Sequence, residues 1–239
     1  DRETPFIPQI FGGNIDEMVK TVELLQNRAD VIDLNFGCPA PKVAKVCAGA
    51  ALMGQPNDLV EMVESCIAVS DVPITAKLRL GTGAGPNTVI EICERLADAG
   101  VMRLCIHGRT LRQGYSGNAD WDTIREVVER VRIPVVANGD ITCPESAARC
   151  IEATNAAGLM VGRGAIGRPM VFHVIKQGLN WTNKSAPWEN SNLHRWEKAS
   201  PREQDFIARD WCWDRYLELA KETTGIQPKP GLSLFESFV

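Results

Sequence analysis

The chain has 239 residues, 44% hydrophobic and 23% charged, with a formal net charge of -4. This ordinary globular composition has room for one barrel or two small domains, and the negative balance excludes a protein that coats nucleic acid along its whole surface, which takes clustered Lys and Arg. No run of eighteen apolar residues suits a bilayer, and eight cysteines without a C-x-x-C pair predict reduced thiols with no metal site, so a cytoplasmic location is expected.

Apolar, β-prone runs at 6–11, 31–36, 74–80, 103–106, 135–137 and 158–161 predict six strands with helical segments between them. Several read as apolar on nearly every residue, as parallel strands covered on both faces do. After the first strand, Asn14 and Glu17 form a capping-box pattern ahead of Ile15, Met18, Val19, Val22 and Leu25 at helical spacing. Further on, Asn57 is placed to cap a helix, Pro86 and Pro144 mark helix starts, and Gly100 after Ala97-Asp98-Ala99 marks a stop. Beyond Gly178 the character changes: Trp181, Trp188 and Trp196 lie among Asn, Ser, Lys and Pro. Ser200-Pro201-Arg202-Glu203 then opens a helix expected to end at Gly225.

Alternating β and α segments make either an open doubly wound sheet or a closed barrel. The dinucleotide fingerprint G-x-G-x-x-G is absent after the first strand, and Gly81-Thr82-Gly83-Ala84-Gly85 follows a middle strand without matching it. A barrel is favoured, because polar and special residues gather at the strand C-termini, where barrel active sites lie.

Cys38, in Asn35-Phe36-Gly37-Cys38-Pro39, directly follows a strand and can serve as nucleophile, acid or metal ligand, or be a small buried hydrophobe. Lys77 sits inside an otherwise apolar strand, where an ammonium needs an anionic or polar partner, either a ligand or an internal salt bridge. His107 and Arg109 end the next strand, and the loop 111–117 after them is polar and glycine-rich enough to close over a substrate. Asn138-Gly139-Asp140 and Gly162-Arg163-Gly164 offer glycine backbones and a cation for an anion, as late barrel strands often do for phosphate.

A strand-end Gln9 with Gly12-Gly13 is followed by Asp33-Leu34-Asn35-Phe36-Gly37-Cys38-Pro39-Ala40-Pro41-Lys42-Val43 and Gly49-Ala50-Ala51-Leu52-Met53. Then come Lys77-Leu78-Arg79-Leu80-Gly81, His107-Gly108-Arg109-Thr110, Asn138-Gly139-Asp140-Ile141 and Gly162-Arg163-Gly164-Ala165. In that order, over residues 8 to about 172, they resemble the tRNA-dihydrouridine synthases. The resemblance implies an FMN-binding (β/α)₈ barrel that reduces uridine in the tRNA D-loop to 5,6-dihydrouridine, with NADPH (or NADH) as reductant. It implies Gln9, Lys77 and His107 as FMN contacts, and Asn138, Gly139, Asp140, Gly162 and Arg163 around the phosphate and ribityl chain. Cys38 is the implied acid, with Asn35 and Arg109 on the nucleotide side. Hydride then passes from flavin N5 to uracil C6 and a proton from Cys38 to C5, the base having been turned out of its stack. The region 179–239 is the implied second tRNA contact, with Lys184, Arg195, Lys198, Arg202, Arg209 and Arg215 within it.

Two other readings share part of the pattern. An FMN barrel of the dihydroorotate dehydrogenase type also uses a rim lysine, a cysteine or serine and a late glycine-arginine site, but the strings at 37–43 and 107–110 favour the synthase. A non-catalytic RNA-binding barrel would keep the fold without the flavin. Only six strand-end motifs are present, and a closed barrel usually takes about 250 residues. The expectation is therefore an α/β TIM barrel over 1–178 lacking its first two βα units, a small helical region over 179–239, and a complete protein that begins two units earlier, since an open remnant would expose sheet edges.

Overall fold

The computed structural model describes residues 5–168, 170–181, 200 and 203. Two compact units make up the chain, Asp1–Asp140 with Arg149–Met160, and Ile141–Ala148 with Val161–Val239. Most of the expected helical region 179–239 lies outside the described residues.

The first unit holds six strands: β1 (Gln9–Ile10), β2 (Ile32–Phe36), β3 (Ile74–Arg79), β4 (Arg103–His107), β5 (Val135–Asn138) and β6 (Gly158–Met160). They form one all-parallel sheet in the order β1-β2-β3-β4-β5-β6. Between them run α1 (Ile15–Leu25), α2 (Pro41–Ala44), α3 (Pro56–Val69), α4 (Val89–Asp98), α5 (Trp121–Arg130) and α6 (Pro144–Thr154), with α7 (Val171–Gly178) after β6. Parallel crossovers are right-handed, so a sheet whose neighbours follow chain order carries its helices on one face. A doubly wound sheet reverses its order and covers both. The fold is therefore of the TIM-barrel kind, in six βα units. Among the described residues no helix is long and apolar enough to cross a membrane.

The strand faces differ from the expectation of apolarity on nearly every residue. Ile32, Leu34, Phe36, Ile74, Ala76, Leu78, Leu104, Ile106, Val135 and Ala137 form one face, each 3% exposed or less. The register places Gln9, Asp33, Thr75 and Arg103 in one row of the other face, Asn35, Lys77, Cys105 and Val136 in the next, and Arg79, His107, Asn138 and Met160 in the last. Polar and apolar residues alternate fully along β2 and β3, while Cys105, Val136 and Met160 add apolar groups to the second face in β4, β5 and β6. The opposite face is free to collect polar groups.

Local punctuation behaves largely as read. Asn14 Oδ1 accepts from the Glu17 amide at 3.0 Å, Gly100 follows α4 at φ +102°, and Pro144 begins α6. The Ser200 hydroxyl accepts from the Glu203 amide at 3.4 Å while Glu203 Oε2 accepts from the Ser200 amide at 2.8 Å, a reciprocal cap. Asn57 is not a cap. Pro56, with φ already suited to a first helical position, starts α3 with Gln55 before it as the cap, two residues earlier than a cap at Asn57 would, and the Asn57 side chain accepts from Arg95 Nη1 at 2.9 Å instead.

Candidate functional site

The polar face meets the loops at the strand C-termini, and hydrogen-bond polarity organises it. Asp33 accepts from Thr75 Oγ1 at 2.5 Å and from Gln9 Nε2 at 2.6 Å. A carboxylate can only accept, so the Gln9 amide must turn its oxygen the other way, where it accepts from Asn35 Nδ2 at 2.7 Å. Asn35 Oδ1 in turn accepts from the Gly37 and Cys38 amides at 2.9 and 3.0 Å. One carboxylate thus orients two amides and, through them, the backbone that carries the thiol. On the far side the Ala50 amide donates to the Cys38 carbonyl at 3.1 Å. Gly49, at φ +59°, leaves that approach open, since a Cβ there would lie 2.9 Å from the Cys38 oxygen.

Cys38 is partly exposed. The buried thiols offer a contrast: burial pushes Cys66, Cys105 and Cys150 up to about 11 and raises Cys93 as well. Such thiols stay protonated and inaccessible. Cys47 is exposed, at φ +50°, in the loop after α2.

Lys77 stands beside Asn35 and Cys105 in register. Its one hydrogen bond among the described residues is long, 3.5 Å to the Leu78 carbonyl. Burial lowers its ammonium below the ordinary lysine range, Arg79 adds to that, and Cys105 and Asp33 oppose it.

Two buried arginines brace the rim. Arg79, 2% exposed, donates from Nε to the Gly37 carbonyl at 2.8 Å and from Nη1 to the Thr110 and Gly114 carbonyls at 3.0 and 2.8 Å. It lies 5.7 Å from the Tyr115 ring centroid, within cation–π range. The Cys38 loop and the 110–115 loop are thereby tied to one guanidinium. Arg109, also 2% exposed, donates from Nη2 to both Asp140 oxygens at 2.7 and 2.8 Å and to the Gly117 carbonyl, and from Nε to the Ser116 carbonyl at 3.1 Å. Its Nη1 is 3.3 Å from His107 Nε2.

Asp140 also accepts from the Ala119 amide at 2.7 Å. The residue is at φ +57°, and Gly139 before it is at φ +119°. A Cβ on Gly139 would fall 2.7 Å from the Ala119 Cβ and 3.1 Å from His107 Cδ2, so glycine is needed for space as well as torsion. Asn138 Nδ2 donates to the Met160 carbonyl at 2.8 Å. In the second unit, Gly162 leads into the 3₁₀ turn Arg163–Ala165, with Arg163 exposed. Gly164 packs where a Cβ would lie 2.8 Å from the Ile141 oxygen.

Of the residues singled out in sequence, Gln9, Asn35 and Lys77 stand on the polar face within β1, β2 and β3, and Cys38, His107, Arg109, Asn138, Gly139 and Asp140 lie at or just after the C-termini of β2, β4 and β5 in the first unit. Arg109 is a brace inside the rim rather than a group facing outward. In the sequence the brace Arg79 and the orienting Asp33 stand only as parts of motifs. Their signal was the alternation itself, Asp33 with Asn35 and Thr75 with Lys77 and Arg79.

A family model described as dihydrouridine synthase matches residues 1–200. The tRNA-dihydrouridine synthase B of Shewanella oneidensis is 41% identical over 182 residues, covering 76% of this chain and 56% of that one. The probable tRNA-dihydrouridine synthase 1 of Synechocystis is 40% identical over 182 residues, covering 74% and 51%. The chain spans about half the length of these curated relatives. Among solved structures, an enolase from Bradyrhizobium aligns with a TM-score of 0.51 at 14% identity over 74% of this chain and 43% of that one, a likeness of fold alone.

Proposed function

The chain belongs to the dihydrouridine synthase family, and from that premise we propose that it is the flavin-holding barrel of a cytoplasmic tRNA-dihydrouridine synthase, using FMN and NADPH (or NADH) to reduce uridine in the D-loop to 5,6-dihydrouridine. The observation that carries this reading is Lys77. Its partly buried ammonium has, among the described residues, one 3.5 Å bond to a carbonyl, a donor set that suits an acceptor from outside the chain.

The residues fit the group. Gln9, Lys77 and His107 stand on the polar face and all can donate, which suits the acceptor-rich pyrimidine edge of a flavin, while Asn138 on the same face is assigned with Gly139 to the ribityl and phosphate end. Bound FMN supplies hydride, drawn from NADPH, for C6 of the uracil. Cys38 protonates C5, and the Asn35 and Arg79 bonds hold its backbone while it does so. The Asp140 carboxylate is committed to Arg109 and Ala119, so its contribution toward a phosphate is backbone. Gly162 and Arg163 are assigned to the phosphate on their motif. For Arg109 we propose support of the 107–117 segment in place of nucleotide contact. A paired uridine reaches a recessed ring only when flipped from its stack. The basic residues at 184–215 proposed to grip tRNA lie outside the described residues.

The test is the full-length protein purified with its natural complement of cofactor. A flavin absorbance spectrum and NADPH-dependent formation of dihydrouridine in tRNA are expected. A flavin-free protein that still binds tRNA would replace the enzyme with an RNA-binding barrel.

A further inference from the structure

At the end of β4 a guanidinium and an imidazole, 2% and 7% exposed, meet within hydrogen-bond range: Arg109 Nη1 is 3.3 Å from His107 Nε2. A guanidinium has donors only and keeps its charge at any physiological pH. The atom that faces it must therefore be an acceptor. An imidazolium has no acceptor, and of the two neutral forms only the one protonated at Nδ1 leaves a lone pair on Nε2.

We propose that Arg109 is a positioning residue that holds His107 neutral, with its proton on Nδ1. Arg109 cannot swing away to accommodate another form, because Ser116 holds its Nε, and Asp140 and Gly117 hold its Nη2. The ring has little room on that side, since a Cβ on Gly139 would fall 3.1 Å from Cδ2, and the Tyr115 ring lies 6.3 Å away at an interplanar angle of 40°. His107 then donates from Nδ1 alone, and as a neutral group. If FMN binds as proposed above, the imidazole orients an acceptor without adding a charge to the face that already holds Lys77. The position of the proton does not depend on that reading.

Nuclear magnetic resonance on the full chain labelled with ¹⁵N-histidine decides the matter without cofactor or RNA. The sequence has three histidines, and His107→Gln identifies the resonances of interest. At pH 7 the ring of His107 is expected to show a protonated Nδ1 and an unprotonated Nε2, the reverse of the form free histidine prefers in water. An Nε2–H pattern or an imidazolium pattern in the unaltered protein overturns the proposal, whatever the variants do. Arg109→Lys, which retains a donor-only cation, is expected to preserve the Nδ1–H pattern, and Arg109→Met to lose it. Retention in Arg109→Met would remove Arg109 from the role. Loss of flavin binding elsewhere would undo the proposed function and leave this result standing.

Discussion

Asn35 is the residue through which the polar face reaches the thiol, and replacing it separates two effects that are joined in the native chain. Asn35→Ala removes the acceptor of the Gly37 and Cys38 amides and the donor to Gln9. Gln9 is exposed and can turn to water, so the lasting loss is the two part-buried N–H groups. At about 1 kcal/mol net for each bond, the closed loop loses roughly 2 kcal/mol, or about a 30-fold rise in its open population. The bonds from Arg79 to Gly37 and from Ala50 to Cys38 remain, so the loop is loosened rather than released. Asn35→Asp keeps an acceptor for both amides but cannot donate to Gln9. Amide hydrogen exchange at Gly37 and Cys38 should therefore quicken about 30-fold in Asn35→Ala and change little in Asn35→Asp. Equal protection in the native protein and in Asn35→Ala would show that Arg79 and Ala50 alone hold the loop, and the relay from Asp33 would have no consequence for Cys38.

Cys38→Ala should retain flavin and its reduction by NADPH while losing about 10²–10⁴-fold in single-turnover reduction of tRNA, the usual cost of a positioned acid; normal turnover would assign the proton elsewhere. Lys77→Met should lower flavin occupancy yet stabilise the cofactor-free chain against urea. The folded ammonium titrates below the unfolded one, so the native state binds fewer protons between those two values and the stability of the unaltered protein should climb with pH across that window, a slope the variant lacks. Arg163→Ala should reduce flavin retention with little change in tRNA affinity, and unchanged occupancy would remove it from the phosphate. Arg109→Met leaves Asp140 without its cation. Because Asp140 is 33% exposed, the expected loss is near the lower end of a broken buried pair, about 3 kcal/mol, read from urea unfolding.

What local sequence dictates, it dictated legibly. The cap at Asn14, the stop at Gly100 and the Ser200–Glu203 pair involve atoms within a few positions of one another, so residue type and spacing suffice. The succession of six βα units and the placing of Cys38, His107 and Asn138 at strand ends were equally readable, because a parallel crossover sends each strand the same way and its C-terminus to the same edge. Helix starts were less secure: Gln55 holds the cap position read for Asn57 because Pro56 already suits the first turn, and only the backbone chooses between the two starts.

Tertiary structure decided which polar groups are already spent. Arg109 reads as a cation at a rim and turns out to be consumed by Asp140, 31 positions away; Arg79 spans 42 positions to the Gly37 carbonyl, and Thr75 the same distance to Asp33. No spacing rule links such pairs. They meet because neighbouring parallel strands bring into register residues separated by a whole helix and its loops, and a buried donor or acceptor must then find its partner there or remain unsatisfied. Lys77 is the converse: its sequence context predicted the need for a partner, and only the fold shows that its neighbours among the described residues supply little more than a carbonyl at 3.5 Å.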